Sequence, residues 1–310
     1  MSALICGSLA YDTIMAYPQT FKDQILPDKI HILNVCFEVP EMRREFGGTA
    51  GNIAYNLKLL GGDGFPMGTV GTDFKPYAEW MDGHGIRRDY IKEIPDAYTA
   101  QAFITTDTDN NQITAFHPGA MQHAHVQPVP TDKGITLGVV APDGREGMLQ
   151  HAHQFYDAGI PFLFDPGQGM PLFSGEELKE FINMATWVAV NDYESQMLEK
   201  KTGLTAYEIA DKVAALLVTW GAKGSVIYSK QRRLDVPSAT AAKVIDPTGC
   251  GDAYRAGLIY GLMHDFDWET IGQVASLMGA IKIAHRGTQN HSFTRNEFDA
   301  RFEETFGRKL

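Results

Sequence analysis

The run Asp246-Pro247-Thr248-Gly249-Cys250-Gly251-Asp252-Ala253-Tyr254 holds the residues best suited to chemistry. Two glycines flank a small residue, and an aspartate then opens an apolar helix. Backbone N–H groups of Gly249, Cys250 and Gly251 can point at one centre, because little side chain blocks the approach. The helix dipole adds partial positive charge there. Together they make an anion hole. A carboxylate beside such a hole repels phosphate, so Asp252 is better suited to taking a proton from a hydroxyl that attacks phosphorus. Asp252 could equally be a helix cap, and these residues alone leave both readings open.

The elements around this run alternate. Leu4 to Gly7 reads as a buried first strand. Gly47 to Leu60 is helical, with Ile53, Leu57 and Leu60 on one stripe and Gly61-Gly62 as the stop. Gly68 to Asp73 is a strand into a turn, and Phe74 to His84 a helix. From Ile135 onward strands and helices follow in order: strands at 135–141, 162–164, 187–190 and 216–219, helices at 144–158 and 176–184. Helices at 251–264, 268–285 and 295–306 close the chain. This predicts a mostly parallel sheet covered on both faces, with ligands beyond the carboxyl ends of its strands. Two stretches break the pattern. Tyr11 to Phe46, with Pro18, Pro27 and Pro40, reads as short strands and loops outside the main core. Tyr98 to Thr106 and Gln112 to Phe116 read as a hairpin around Asp109-Asn110-Asn111.

Composition narrows the classes. The chain has 310 residues and a formal net charge of -11, which argues against a nucleic-acid binder. It still allows a local pocket for a small phosphate. Cys6, Cys36 and Cys250 match no zinc or redox spacing, so a reducing compartment is expected. Met1 to Tyr11 carries no secretory pattern, and no run of eighteen apolar residues occurs. A soluble cytoplasmic α/β protein without a membrane partner is expected. Gly64, Gly68 and Gly71 form no Walker A loop, and no dinucleotide fingerprint follows the first strand. His123 with His125, and His151 with His153, lack a third metal ligand and read as solvated surface histidines.

Asp246 to Asp252 resembles the carboxy-terminal signature of the ribokinase-like (PfkB) carbohydrate kinases, D-T-x-G-A-G-D, with Cys250 where alanine is commoner. Four further motifs follow the family order. They are Gly7-Ser8-Leu9-Ala10-Tyr11-Asp12, Gly47-Gly48-Thr49-Ala50-Gly51-Asn52, Asn191-Asp192-Tyr193-Glu194, and Thr219-Trp220-Gly221-Ala222-Lys223-Gly224. The resemblance spans nearly the whole chain. It implies one three-layer αβα domain over 1–310, with a small β lid formed by about 13–45 and 94–117. It implies transfer of the γ-phosphoryl group of ATP to a primary hydroxyl. Asp252 would then be the base, and Gly249, Cys250 and Gly251 the hole. Asp12 would accept from two sugar hydroxyls, with Gly48, Thr49 and Asn52 also at the acceptor. Asn191, Glu194, Thr219, Gly221, Gly224 and Thr248 would serve the nucleotide, and Glu194 would reach Mg²⁺ through water. By their residue types alone, Asn191 and Glu194 read first as a helix cap and its capping-box partner.

The run Lys282 to His291 lies where relatives wrap the adenine and hold a monovalent cation. The resemblance puts backbone groups of Asp246, Thr248, Lys282, His285 and Gly287 around a possible K⁺; a helix end with a polar loop is the plain alternative. Arg43 and Arg44 could reach the transferred phosphate or be solvated. The lid offers Tyr17, Phe21, Phe37, Phe46, Phe103 and Phe116, which suit a nucleoside base or mere lid packing. Phe103 and Phe116 are taken as acceptor contacts. With the 47–54 and 282–287 segments, which resemble bacterial adenosine-kinase-type members, they favour a nucleoside kinase, adenosine first. A ribose or fructose kinase is the alternative, and a non-catalytic sensor ranks lower. A monomer or a homodimer through the lid is expected.

Overall fold

The computed structural model describes every residue except 26–30, 33, 110, 131–133 and 231. Pro27 and Asn110, used above as turn signals, lie outside the described residues. In chain order the first half holds β1 (Ser2–Cys6), β2 (Ala10–Ala16), β3 (Glu41–Gly47), α1 (Thr49–Leu59), β4 (Asp63–Val70), α2 (Lys75–Gly83), β5 (Tyr90–Glu93), β6 (Ala100–Thr106) and β7 (Gln112–His117). The second half holds β8 (Ile135–Val140), α3 (Arg145–Asp157), β9 (Phe162–Phe164), α4 (Gly175–Met184), β10 (Trp187–Asn191), α5 (Asp192–Thr202) and α6 (Ala206–Ala210). It ends with β11 (Ala215–Thr219), β12 (Ser225–Ser229), β13 (Arg232–Val236), α7 (Cys250–Met263), α8 (Trp268–Lys282) and α9 (Arg295–Phe306).

Among the described residues the main sheet runs β13-β12-β11-β10-β9-β8-β1-β4-β5. It is parallel from β11 to β5, and β12 and β13 add an antiparallel edge. Strand β1 shows why the central strands are apolar throughout: Ala3 and Ile5 pack into one core, Leu4 and Cys6 into the other. Helices α1, α2, α7, α8 and α9 cover the first face, and α3 to α6 the second. A second sheet, β3-β2-β6-β7, forms from the two stretches that break the alternation. Its hairpin tip is pinned by Asp107, whose carboxylate accepts from the Asp109 and Asn111 N–H groups and from Phe21 N at 3.0 Å.

Two differences from the sequence expectation matter for the site. Residues 225–229 and 232–236 form the β12–β13 edge, for which no strand is expected. Helix α8 stops at Lys282 rather than His285, because the chain turns and Ile283 O accepts from Ile245 N and Asp246 N at 2.9 and 3.1 Å. The C-terminus of α8 is thereby tied to the segment that enters α7.

Helices α7 and α8 meet through glycines. A Cβ on Gly257 would lie 2.6 Å from Ala275 Cα, and one on Gly261 2.7 Å from Ile271 Cγ1. Gly257→Leu must therefore push the helices apart. Overpacking of this kind costs roughly 1–3 kcal/mol. Urea denaturation should show the loss, and a variant as stable as the parent would refute the close approach.

Candidate functional site

Gly249 caps α7 in the left-handed region at φ +76°, and a Cβ there would meet Thr288 Cγ2 at 2.9 Å. Gly251 has no such constraint; its Cβ would find only Arg255 Nη1, at 3.7 Å. The Cys250 N–H is already engaged, donating to Pro247 O at 3.1 Å. The three-residue hole expected from sequence is corrected accordingly. The N–H groups of Gly249, Gly251 and Asp252 have no protein acceptor among the described residues, and Cys250 supplies the turn. Thr248 N donates to Asp246 Oδ1 at 2.9 Å, and Gly287 N to Asp246 Oδ2 at 2.9 Å.

Asp252 is the third residue of α7. Its Oδ2 accepts from Asn52 Nδ2 at 2.8 Å. Asn52 Oδ1 accepts from Gln289 Nε2 at 3.0 Å, and Gln289 also binds Tyr77 Oη and the Trp80 indole N–H. Tyr77 in turn donates to Gly47 O at 3.0 Å. The base candidate is therefore held by a chain of buried polar groups reaching the lid hinge. Burial pushes the Asp252 carboxyl up to about 7; the Asn52 donor opposes the rise, Asp165 adds to it and Arg255 opposes it. Nothing in the local sequence around Gln289 marks it as part of this chain.

Asp12 lies on the cavity face of the lid, in register with Glu45 and Ala102, and Ala102 pairs with Phe116. Burial, then Glu45 and Asp246, push the Asp12 carboxyl up to about 6. Gly48, at φ +86°, needs glycine because a Cβ would sit 2.4 Å from Ser8 O, a contact within the chain. Thr49 Oγ1 donates to Pro142 O and accepts from Ser8 N, both at 3.2 Å, so it ties strand ends together as well as lining the cavity.

Of the six lid aromatics only Phe116 lines the cavity. Phe103 as an acceptor contact is corrected: it alternates to the opposite face from Ala102 and Ile104, which do line it. Tyr17, Phe21 and Phe37 pack on one another, and Phe46 packs on Tyr11, Tyr77 and Trp80. Arg43 pairs with Glu45 at 3.1 Å, and Arg44 covers the Tyr11 ring.

At the other end, Thr219, Gly221 and Gly224 line the cavity where β11 turns into β12. Trp220 N donates to Gly224 O at 2.8 Å, and Gly224, at φ +92°, needs glycine because a Cβ would strike Val236 O. Asn191 and Glu194 form a reciprocal capping box on α5, each bond 2.7 Å, and both also line the cavity. Burial raises the Glu194 carboxyl, Asp165 adds to the rise, and Arg255 lowers it. Arg255 itself is buried and grips Asp165 through two bonds of 3.0 and 3.1 Å.

The Lys282 carbonyl accepts from His285 N at 3.0 Å, in the turn that follows α8. The Lys282 ammonium is buried and donates to Asp246 O at 2.7 Å and His285 O at 3.3 Å. Gln289 and His291 fold into the core beside α1, with His291 Nε2 2.7 Å from Asn56 Oδ1. Within the same run Ile283 and Thr288 line the cavity. His151 is also corrected: it is buried and sits 2.9 Å from Gln127 O. Among the described residues no His, Cys, Asp or Glu group could hold a metal by itself, and no helix is long and apolar enough to cross a membrane. One buried carboxyl escapes the sequence reading. Asp143 lines the cavity with Oδ2 unpartnered, and burial pushes it up to about 8.

These parts surround one continuous cavity of about 1660 Å³. A family profile for pfkB family carbohydrate kinases matches residues 9–295. A nucleoside kinase of Methanocaldococcus jannaschii is 34% identical over 275 residues, covering 87% of this chain and 89% of its own. The structure of a Burkholderia thailandensis nucleoside kinase in complex with inosine superposes with a TM-score of 0.91 at 54% identity, covering 99% of both chains. The same kinase in complex with ADP-inosine gives 0.88 at 55% identity, over 99% of this chain and 97% of that one. A ribokinase from Thermotoga maritima shares the fold at a TM-score of 0.79 and 18% identity, over 97% and 99% of the two chains. The fold is ribokinase-like.

Two outcomes follow from this geometry. Gly249→Ala should cost on the order of 10²-fold in turnover, because it strains the cap and disturbs the N–H groups. Gly251→Ala should keep the fold and most of the activity, and steady-state kinetics on both variants compare them. Equal losses would mean that the left-handed cap is not what shapes the hole. A base role for Asp252 requires the ionised carboxylate, so that role predicts activity falling as pH drops through about 7. The raised value also means that this group favours folding when protonated, a contribution present below 3.8 and lost as pH rises from there to about 7. Asn52→Ala removes a donor that favours the carboxylate, so the acid limb of the pH–rate profile should move upward. An unmoved limb would separate Asn52 from the ionisation of Asp252.

Proposed function

The chain belongs to the pfkB family of carbohydrate kinases, and on that premise we propose that it phosphorylates the 5′-hydroxyl of purine ribonucleosides from ATP, adenosine and inosine included. One observation carries this reading: two chemically different ends of a single cavity meet at Asp252 and the start of α7. Its volume of about 1660 Å³ is larger than the roughly 300–1,000 Å³ of a one-ligand pocket, so donor and acceptor fit together. At the lid end Ile104, Phe116, Pro118 and Met121 add apolar wall beyond what a lone sugar ring needs. The inosine complex of the Burkholderia kinase supports a purine there.

Asp12 accepts from the two ribose hydroxyls, and Asp252 takes the 5′-hydroxyl proton as the oxygen attacks the γ-phosphorus. The free N–H groups of Gly249, Gly251 and Asp252 receive the transferring phosphoryl oxygens. The Thr219–Gly224 turn, with Ala241, Val244, Ala280 and Ile283, makes the bed for the nucleotide base. Mg²⁺ carried in with ATP would neutralise phosphate charge. Asp165 is held by Arg255 and Glu194 by its capping box, so both suit contact through the ion's waters rather than direct ligation. The free cysteines fit a reducing, ATP-supplied compartment such as the cytoplasm. A lid-to-lid homodimer belongs to the same reading, since it would cover the exposed Met42, Phe103 and Ile113; size-exclusion chromatography tests it.

An ADP-release screen over adenosine, inosine, guanosine, cytidine, ribose and fructose tests the acceptor. Purine ribonucleosides should turn over. Use of ribose or fructose alone would make this a sugar kinase, and silence with all of them a sensor. Asp252→Asn should lose at least ~10²-fold in turnover with ATP affinity kept. The 2′-deoxynucleosides should be poorer by at least about tenfold, because a buried carboxylate loses a partner worth roughly 1–3 kcal/mol. Asp12→Ala should erase most of that preference, and equal use of ribo and deoxy acceptors by the parent would contradict the diol role.

A further inference from the structure

We propose that the ammonium of Lys282 is a built-in monovalent cation for the phosphate-binding loop, standing where a K⁺ ion would otherwise sit, so that this kinase needs no K⁺. Lys282 is the last residue of α8 and is 0% exposed. Its Nζ donates to two backbone carbonyls, Asp246 O at 2.7 Å and His285 O at 3.3 Å. Backbone carbonyl oxygens are the donors a K⁺ site is built from. An ammonium matches K⁺ in charge and closely in size, and differs in being tethered. A K⁺ ion does not fit beside it, because the same carbonyls would have to face two like charges.

The ammonium sits where it can hold the loop in place. Asp246 stands three residues before Gly249, and its carboxylate holds Thr248 N and Gly287 N. Its carbonyl is the group the ammonium grips. Ile245 N and Asp246 N are meanwhile bonded to Ile283 O, one residue beyond Lys282. One stretch of backbone is thus strapped to the end of α8 by two neutral bonds and one charged one, and that stretch fixes the cap of α7. Burial lowers the pKa of the Lys282 ammonium, and Asp246, Cys250 and Asp252, which its charge reaches, oppose that fall. That charge therefore offsets part of the negative charge that Asp12, Asp246 and Asp252 place around an incoming phosphate. Lys282 is a positioning residue, acting through the loop and not on substrate.

This inference rests on the reading of the α7 N-terminus as the phosphate site, and the test keeps the two apart. Activity with ATP and inosine, and the thermal midpoint without substrates, are measured at constant ionic strength with K⁺, NH₄⁺, methylammonium or tetramethylammonium as the cation. The parent enzyme should show the same kcat, KM for ATP and midpoint in K⁺ as in tetramethylammonium. Lys282→Ala should lose on the order of 10²-fold in kcat/KM for ATP, the scale of a displaced catalytic loop. NH₄⁺, methylammonium or K⁺ should restore part of it and raise the variant's midpoint, whereas tetramethylammonium, too large for the carbonyls, should do neither. A parent enzyme activated or stabilised by K⁺ would overturn the proposal, as would a folded Lys282→Ala with parental kinetics or without response to any small cation. If Lys282→Ala does not fold, the parent's response to K⁺ decides alone. If inosine is not phosphorylated, the acceptor reading fails while the midpoints still decide the cation question.

Discussion

The hydrogen bond from Asn52 Nδ2 to Asp252 Oδ2, 2.8 Å long, ties α1 to α7 across 200 residues of sequence. Asn52 sits one turn into a helix that starts at the lid hinge; Asp252 sits in the first turn of the helix that presents the N–H groups. For this bond to form, α1 and α7 must lie side by side on one face of the sheet, which requires β1 and β4 to be placed as they are. Gln289 then closes the arrangement by donating to Asn52 Oδ1 and to Tyr77 Oη, so neither end of the Asn52 amide is left to water. Buried polar groups of this kind are stable only when every member is partnered. Moving Asp252 would break a whole row of bonds, and that row also holds Gly47 at the end of β3.

A chain with net charge -11 still builds a phosphate site because the site takes its positive potential from backbone. Arg255 is committed to Asp165, and Lys282 to Asp246 O and His285 O. Neither reaches the cavity centre as a free cation. What remains for the phosphate is the unpaired N–H groups at the start of α7 and the dipole behind them. Such a site attracts one phosphoryl group at short range and offers nothing to a polyanion. This agrees with the surface composition.

The order of strands and helices was legible because apolar periodicity reports local structure, and the glycine motifs marked where strand ends turn toward ligand. The lid was visible only as an interruption. Its facing could not be read, because a strand side chain's direction depends on register: Phe103 and Phe116 look equivalent in sequence, and pairing puts them on opposite faces. The Gly249-Cys250-Gly251 run looked like three equal donors. A turn bond occupies the middle one, and only Gly249 needs the left-handed region. Gln289, Asp143 and the ammonium of Lys282 were hidden for a related reason. Each gains its role from a partner far away in sequence, and no local pattern records that partner. The β12–β13 edge was missed because Arg232, Arg233 and Asp235 dilute the apolar signal that an edge strand can do without.

Asp12 and Asp252 face one cavity, and burial raises both carboxyls. The desolvation that makes each charge costly comes from the lid sheet and the α1–α7 contact, which also exclude water from the reaction. In the proposed reaction a hydroxyl acceptor would relieve that cost on arrival, with ribose hydroxyls donating to Asp12 and the attacking hydroxyl to Asp252. An aspartate in water, near its ordinary value, would be a weak base toward an alcohol. Raised to about 7, Asp252 would be a stronger one that is still ionised in about half of the molecules in neutral solution, which is the balance that favours a general base. The bond from Asn52 limits the rise. Burial without that donor would carry Asp252 further up, toward the protonated form in which Asp143 is held at about 8. Asp143 also accepts one N–H, from Gly144 at 2.8 Å, but its Oδ2 has no partner, whereas Oδ2 of Asp252 is held by Asn52.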